Sequence, residues 1–166
     1  MKPASIALED IRKLGEPCLR TTIPLSWGDR NGHMNMRWYV AIFDDAGDEL
    51  HARVGITEAY HDAHDTGTVD LEHHTHFLAE VMLGNEVTVY ARVVGQSDKR
   101  VHYLMFLIDE TRGRLAAISE CVNSWLDLKS RKTAPFPDEI ASKVTAALAA
   151  DAKQNWPAPT CGAMRA

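Results

Sequence analysis

The sequence predicts an α+β fold in which an antiparallel sheet of about five strands wraps around one long central helix. Three observations lead to this prediction. Residues 36–54 carry apolar side chains at helical spacing. A strand-like run at residues 18–27 precedes this helix, and four more strand-like runs follow it. No repeat or linker interrupts this order, so we expect one domain over residues 1–166 with its core at about 18–130.

The first run, residues 18–27, contains Pro24 and therefore suits an edge strand or a bulge. In the central helix, charged side chains and His51 lie mainly opposite the apolar face. That face consists of Tyr39, Ile42, Phe43, Ala46, Leu50 and Val54. Asn35 is a candidate N-cap because its side-chain oxygen can accept a backbone N–H of the first turn, and Gly55 ends the helix.

The polar stretch 56–66 is a loop or a short helical piece. The strand-like runs after it are Thr68–Glu80, Glu86–Val94, Val101–Ile108 and Leu115–Leu128. Of these, Val101–Ile108 is apolar on both faces, as expected of a central strand. A second amphipathic helix is predicted at about 137–152, followed by a loose tail at 153–166.

Composition limits the function classes. Apolar residues make up 45% of the chain and charged residues 25%, as in an ordinary globular protein. A formal net charge of -5 gives no general attraction for nucleic acid. The first ten residues lack an apolar leader core, and no run approaches the ~20 apolar residues of a membrane span. We therefore expect a cytoplasmic protein that binds neither nucleic acid nor membrane.

Residues 27–39 form the candidate reaction centre. Asp29, a glycine turn, His33 and Asn35 come directly before the long helix. A helix start offers unpaired backbone N–H groups and a partial positive charge, so it can hold an oxyanion while Asp29 acts as base or nucleophile. The alternative is that Asp29 and Asn35 only cap a turn and a helix.

The run Asp-Arg-Asn-Gly-His-Met-Asn at residues 29–35, followed by Trp38-Tyr39, resembles the hotdog-fold acyl-CoA thioesterases of the 4-hydroxybenzoyl-CoA thioesterase type. Residues 74–81 and 98–102 resemble the betainyl-CoA thioesterases of carnitine catabolism. The resemblance covers roughly residues 20–130. It implies a hotdog fold, hydrolysis of a small acyl-CoA to free acid and CoA without a cofactor, and a homodimer or homotetramer.

The resemblance also implies catalytic roles. Asp29 would attack the thioester carbonyl or activate a water molecule. Backbone N–H groups at Asn35 and Met36 would polarise the thioester oxygen. His33 would orient the substrate, or would instead hold the turn by bonding to the backbone.

Candidate substrate-binding residues surround this motif. Trp27 and Trp38 flank it and could hold a quaternary ammonium group over their rings. Tyr39 is an aromatic candidate too, although its place on the apolar helix face favours core packing. His74 and His76 fall two residues apart on a predicted strand, where they could face a pocket or a subunit seam.

For the phosphates of CoA, the candidates are Lys99 and Arg100 in one turn and Arg131 after the last strand, although such charges are commonly only solvated. The spacings of His61 and His64, and of the run 73–76, could place two imidazoles on one face. No cysteine pair or HExxH motif accompanies them, so we predict no metal ligand.

Two other functions remain open at this point. A hotdog dehydratase or hydratase would pair His33 with a helix carboxylate, Asp45 or Glu49. The position of Asp29 ahead of the helix argues against this pairing. A non-catalytic acyl-CoA binding module is the second alternative, since a fold alone does not provide activity.

Overall fold

The computed structural model describes residues 6–166. The first five residues lie outside the described part. The prediction that the first ten residues contain no leader core therefore falls partly outside the described residues. The helices are α1 (Leu8–Arg12), α2 (Met36–Arg53), α3 (Glu58–His64) and α4 (Asp138–Asp151), and a short 3-10 helix covers Leu25–Trp27. The strands are β1 (Leu19–Thr22), β2 (Thr66–Phe77), β3 (Glu86–Gln96), β4 (Arg100–Asp109), β5 (Arg114–Asp127) and β6 (Lys132–Thr133).

The strands form one sheet in the order β1-β3-β4-β5-β2, and β6 pairs with β5. β1 runs antiparallel to β3, with Leu19 opposite Val89. The middle strand, β4, is buried at every residue from Val101 to Asp109. This confirms the central strand that was predicted from its two apolar faces.

Helix α2 begins and ends within one residue of the predicted bounds, and all six residues of its predicted apolar face are buried. Gly55 ends the helix with a φ of 87°, a left-handed conformation that glycine adopts without strain. The predicted exposure of His51 is wrong, because this side chain is only 7% exposed. His51 lies one helical turn after Gly47, which is buried as well. The buried face of α2 is therefore wider than the set of apolar residues predicts.

Local elements differ in detail from the prediction. The first strand stops at Thr22, and Pro24 precedes the 3-10 helix instead of interrupting a longer strand. Helix α1 and the two-residue β6 were not predicted. Within 56–66 the chain forms helix α3, whose first turn is capped by the Thr57 hydroxyl.

Residues 6–166 belong to two compact units. The first consists of the described residues up to Glu49, Thr75–Ala91 and Met105–Ser119. The second consists of Leu50–His74, Arg92–Leu104 and Glu120–Ala166. The prediction of one domain over 1–166 stays a prediction.

In the second unit, the C-terminal segment differs from the loose tail that was predicted. Trp156 is 9% exposed and Met164 6%. The Arg92 guanidinium lies 4.3 Å from the centre of the Trp156 ring and donates a hydrogen bond to the Trp156 carbonyl at 3.0 Å. Buried aromatic area and this cation–π contact therefore hold the tail, whose prolines had indicated a mobile end.

The buried His51 predicts a pH-dependent stability. Burial lowers the pKa of His51 to about 4, whereas the unfolded chain titrates near 6.5. The stability that neutral His51 contributes is therefore complete above about pH 6.5 and is lost as the pH falls towards 4. Between pH 6.5 and 4, we expect the free energy of unfolding of the native protein, measured with urea, to fall by up to about 3 kcal/mol. The His51→Leu variant should lack this fall. Equal pH dependence of the two proteins would contradict the assignment.

Candidate active site

Residues 28–34 form a tight turn that presents the predicted catalytic residues. Gly28 and Met34 pair across it as an antiparallel bridge. The Asp29 N–H donates to the His33 carbonyl at 3.1 Å, and the Gly32 N–H donates to the Asp29 carbonyl at 3.0 Å. Gly32 has a φ of 81°, which disfavours residues with a β-carbon. The conformation of the turn thus depends on the glycine in the sequence motif.

The turn is held against the segment that follows β2. The Met34 N–H donates to the Val81 carbonyl at 2.8 Å, and His33 forms a bridge with Met82. Met34 is 1% exposed. Backbone hydrogen bonds and a buried side chain therefore fix the position of Asp29 relative to residues 77–82.

At the start of α2, Asn35 is the N-cap that the sequence predicts. Its Oδ1 accepts a hydrogen bond from the Arg37 N–H at 3.1 Å. The Asn35 N–H itself donates to the Trp27 carbonyl at 2.9 Å, so it is not available to an oxyanion, contrary to the prediction. The Met36 N–H has no acceptor within residues 6–166. Of the two predicted backbone donors, Met36 therefore remains.

A cavity of about 420 Å³ lies at this helix start. It is lined by the turn, the first residues of α2 and the end of β2 with the residues after it. The lining residues are Asp29, His33, Met34, Asn35, Met36, Tyr39, Phe77, Leu78, Ala79 and Glu80. The structure thus brings all four predicted catalytic residues to one cavity. Among the described residues that line it, Asp29 and Glu80 are acidic and none is Lys or Arg.

Asp29 and His33 each use one polar atom of the side chain to hold the turn. Asp29 Oδ1 accepts the Asn31 N–H at 2.8 Å, and within residues 6–166 nothing donates to Oδ2. His33 Nδ1 lies 3.1 Å from the Met34 carbonyl oxygen. Because that oxygen only accepts, Nδ1 is the donor, and in a neutral ring Nε2 is the acceptor. His33 therefore bonds to the backbone, as the second interpretation expects, and still lines the cavity.

Tyr39 has a structural place at the floor of the site. Its hydroxyl accepts the Val81 N–H at 3.2 Å and donates to the Ala79 carbonyl at 3.4 Å. Burial raises the pKa of this hydroxyl above its ordinary value, so it stays protonated at neutral pH. The ring meets Phe77 edge-on, with 5.1 Å between centres. These contacts favour the core-packing interpretation of Tyr39.

The family comparison agrees with this geometry. Residues 23–144 match the model of the thioesterase-like superfamily. The chain belongs to this superfamily. The predicted hotdog-type fold and the predicted enzyme class, a thioester hydrolase, are confirmed.

Individual relatives extend the comparison. The chain is 32% identical over 139 residues to the betainyl-CoA thioesterase of Pseudomonas aeruginosa, covering 84% of this chain and 86% of that one. It is 30% identical over 138 residues, 82% of this chain, to an L-carnitine dehydrogenase/betainyl-CoA thioesterase of Rhizobium meliloti. The match spans only 27% of that longer protein. A Staphylococcus aureus protein solved in complex with CoA, SAV2348, has the same fold, with a TM-score of 0.78, 24% identity, and coverage of 84% of this chain and 87% of that chain.

The tryptophans of this thioesterase do not form the predicted open cage. Trp27 and Trp38 stack with 4.4 Å between ring centres and 5° between planes. The Arg37 guanidinium lies over the Trp38 ring, 5.0 Å from its centre. Neither tryptophan lines the cavity. The rings thus have protein partners where a ligand cation was expected.

Residues 77–80 are the site residues that the sequence analysis missed. Phe77 is 52% exposed and Leu78 38%, and Glu80 is exposed as well. The N–H groups of Leu78 and Ala79 both donate to the Ala116 carbonyl, which bends the chain after β2. The signal was present in the sequence, because the adjacent apolar pair Phe77-Leu78 breaks the alternation of the strand.

The remaining predicted residues lie outside the cavity lining. His76 is half-buried in β2, and His74 lies two residues before it. Lys99 and Arg100 lie at the turn into β4, and Arg131 has a φ of 57° in the turn before β6. Their substrate-binding and CoA-binding roles stay predictions. Asp45 and Glu49, the carboxylates of the dehydratase alternative, are exposed and do not line the cavity.

Among residues 6–166, the run 73–76 contributes potential metal ligands, whereas His61 and His64 do not. His61 Nδ1 lies 3.1 Å from the Thr66 hydroxyl, and His64 Nδ1 donates to the Tyr60 carbonyl at 2.8 Å. The second unit instead brings together two other mixed groups of potential ligands. These are Asp70, His73 and Cys121, and His74, Glu120 and Cys161.

Among the described helices, none is both long and apolar enough to cross a membrane.

Proposed function

We propose that this protein hydrolyses an acyl-CoA thioester to the free acid and CoA. One observation carries the proposal: the Asp29 carboxylate and the start of α2, with the unpaired Met36 N–H, line the same cavity. Hydrolysis of a thioester needs these two features, a base or nucleophile and a donor for the developing oxyanion.

Asp29 supplies the base or the nucleophile. By one route it removes a proton from water, whose oxygen attacks the carbonyl carbon as the C–S bond breaks and CoA leaves. By the other route the Asp29 carboxylate attacks the carbonyl carbon, the C–S bond breaks as CoA leaves, and water then hydrolyses the resulting anhydride to the free acid and the Asp29 carboxylate. Both routes develop negative charge on the carbonyl oxygen. The Met36 N–H and the positive end of α2 stabilise that charge, and one such donor typically lowers the barrier by about 3 kcal/mol.

Asn35 and His33 position these groups. The Asn35 side chain caps α2 and its N–H is tied to Trp27, so the Met36 N–H keeps a constant direction. His33 bonds the Met34 carbonyl, which leaves Nε2 as an acceptor for a polar group of the substrate.

For the acyl group, we propose betainyl-CoA. The relative from P. aeruginosa carries that name, and the Rhizobium relative pairs the activity with an L-carnitine dehydrogenase, which suggests carnitine catabolism as the setting. The cavity supports a cationic acyl group independently. It is lined by the Asp29 and Glu80 carboxylates and by the aromatic Phe77, whose negative ring face attracts a quaternary ammonium.

We also propose that two copies associate through the first unit. Met36, Val40, Phe77 and Leu78 are apolar and between 38% and 60% exposed. Phe77 is the last residue of β2, an edge strand of which Thr75–Phe77 belong to the first unit, and an exposed apolar patch at a strand edge favours association with another chain. The cytoplasmic location predicted from the sequence stays a prediction.

Asp29→Asn tests the reaction. The amide retains the shape of the side chain and cannot act as base or nucleophile, so we expect kcat on betainyl-CoA to fall by about 100-fold or more. Release of free CoA thiol measures the rate. Asp44→Asn is the matched control, because Asp44 is an exposed carboxylate of α2 outside the cavity lining. Hydrolysis by Asp29→Asn at the native rate would refute the mechanism.

Glu80→Gln tests the cationic acyl group. We expect kcat/KM for betainyl-CoA to fall about fivefold, equivalent to ~1 kcal/mol for one exposed charge pair. Its neutral isostere, 3,3-dimethylbutyryl-CoA, should be hydrolysed at an unchanged rate. Glu58→Gln, which removes an exposed carboxylate of α3, is the control. An equal effect of Glu80→Gln on both substrates would exclude charge recognition by Glu80.

Light scattering tests the association. The chain has a mass of 18.5 kDa, and we expect a solution mass of twice or four times this value at micromolar concentration. The reason is that burial of the exposed apolar patch of Met36, Val40, Phe77 and Leu78 favours a closed oligomer. A monomer mass would contradict the proposal.

A further inference from the structure

Glu120 in the second unit is a buried carboxylate that the proposed reaction does not use. It lies on β5 and is 1% exposed. Its Oε1 lies 2.8 Å from His102 Nε2, and its Oε2 accepts the Cys161 N–H at 2.6 Å. Burial of a carboxylate is costly unless charged or hydrogen-bonding groups surround it, and His102 and the Cys161 N–H are two such groups.

Two metal-binding side chains converge on the same carboxylate. His74 Nδ1 lies 3.9 Å from Glu120 Oε2, and ligand atoms of His74, Glu120 and Cys161 all lie within 4.8 Å of one another. A separation of 3.9 Å is too long for a direct hydrogen bond. It is close to the roughly 3.5 Å between two ligands of a tetrahedral zinc ion.

From this geometry we propose that His74, Glu120 and Cys161 bind a divalent cation of the zinc class, with a water molecule as fourth ligand. Imidazole nitrogen, carboxylate oxygen and thiolate sulfur form a ligand set that suits zinc and not calcium or magnesium. On binding, the Cys161 thiol releases its proton to solvent. The carboxylate and the thiolate then balance the charge of the cation.

The surroundings organise the site before a cation arrives. The His102 N–H donated to Glu120 Oε1 orients the carboxylate, as an outer-shell partner does in known metal sites. The Cys161 N–H bond to Oε2 holds the cysteine beside it. His74 and Cys161 are both exposed, so a cation can enter from solvent.

The neighbouring group on β2 and β5 is less suitable. It consists of Asp70, His73 and Cys121, and His73 Nε2 lies 2.9 Å from Asp70 Oδ2. Asp70 already accepts hydrogen bonds from Asn123 at 2.7 Å and from the Cys121 thiol at 3.3 Å. Cys121 is completely buried, whereas Cys161 is exposed.

A cation at this site would tie the C-terminal segment to the sheet. Cys161 lies in the segment after α4, and His74 and Glu120 lie on strands. Within the second unit, the same segment is held by the Trp156 ring against Arg92. The cation would add coordination bonds at a second point, so binding should stabilise the folded chain.

Titration with Co²⁺ tests the site with the metal alone. Native protein should bind one Co²⁺ per chain and develop a thiolate-to-cobalt charge-transfer band, which stoichiometric Zn²⁺ should abolish. Cys161→Ser should lack the band, and His74→Gln should bind Co²⁺ more weakly by at least the roughly 10- to 100-fold that loss of an outer-shell partner costs. Zn²⁺ should raise the Tm of native protein and not of Cys161→Ser.

Cys18→Ser and Cys121→Ser are the matched controls, because each removes one cysteine that the proposed site does not contain. Both should retain the band. A band that persists in Cys161→Ser, a band that disappears in Cys121→Ser, or no band in native protein would overturn the proposal. Folding of each variant is checked by circular dichroism, and both ligand variants change exposed side chains.

Discussion

The hydrogen bond from the Met34 N–H to the Val81 carbonyl is the interaction on which the candidate site depends. It joins the turn that carries Asp29 to the segment after β2, and the buried Met34 side chain reinforces it. Two residues later the chain enters α2, so the same tie fixes where the helix begins. The Asp29 carboxylate, the start of α2 and residues 77–80 thereby line one cavity.

Within each unit, polar groups take up hydrogen bonds that would otherwise compete. In the first unit, Asn35 bonds to the Arg37 N–H and the Trp27 carbonyl, which leaves the Met36 N–H as the open donor. The Tyr39 hydroxyl holds the backbone at both Ala79 and Val81. In the second unit, Glu120 plays a comparable organising part by joining His102 to the backbone of Cys161. A buried polar group is costly unless it is satisfied, and here the partners also determine geometry.

The sequence predicts the features that depend on local periodicity. Helix α2 and the buried strand β4 follow from spacing, the Asn35 cap follows from residue type, and the motif at residues 29–35 leads to the candidate site. The features that it misses depend on distant partners. Each of these features depends on tertiary contacts. They are the hydrogen bond of the Asn35 N–H to Trp27, the burial of His51, the packing of Trp156 on Arg92, and the convergence of His74 with Glu120 and Cys161. Local patterns contain no information on such contacts. The broken alternation at Phe77-Leu78, in contrast, is a local signal from which the cavity lining after β2 could have been predicted.

In the proposed reaction the thioester carbonyl binds between Asp29 and the Met36 N–H. A crystal structure with a ketone analogue of betainyl-CoA, in which CH₂ replaces the sulfur, would show this position. We expect the carbonyl oxygen at about 3 Å from the Met36 nitrogen and the carbonyl carbon next to the Asp29 carboxylate. A carbonyl group bound away from both residues would contradict it.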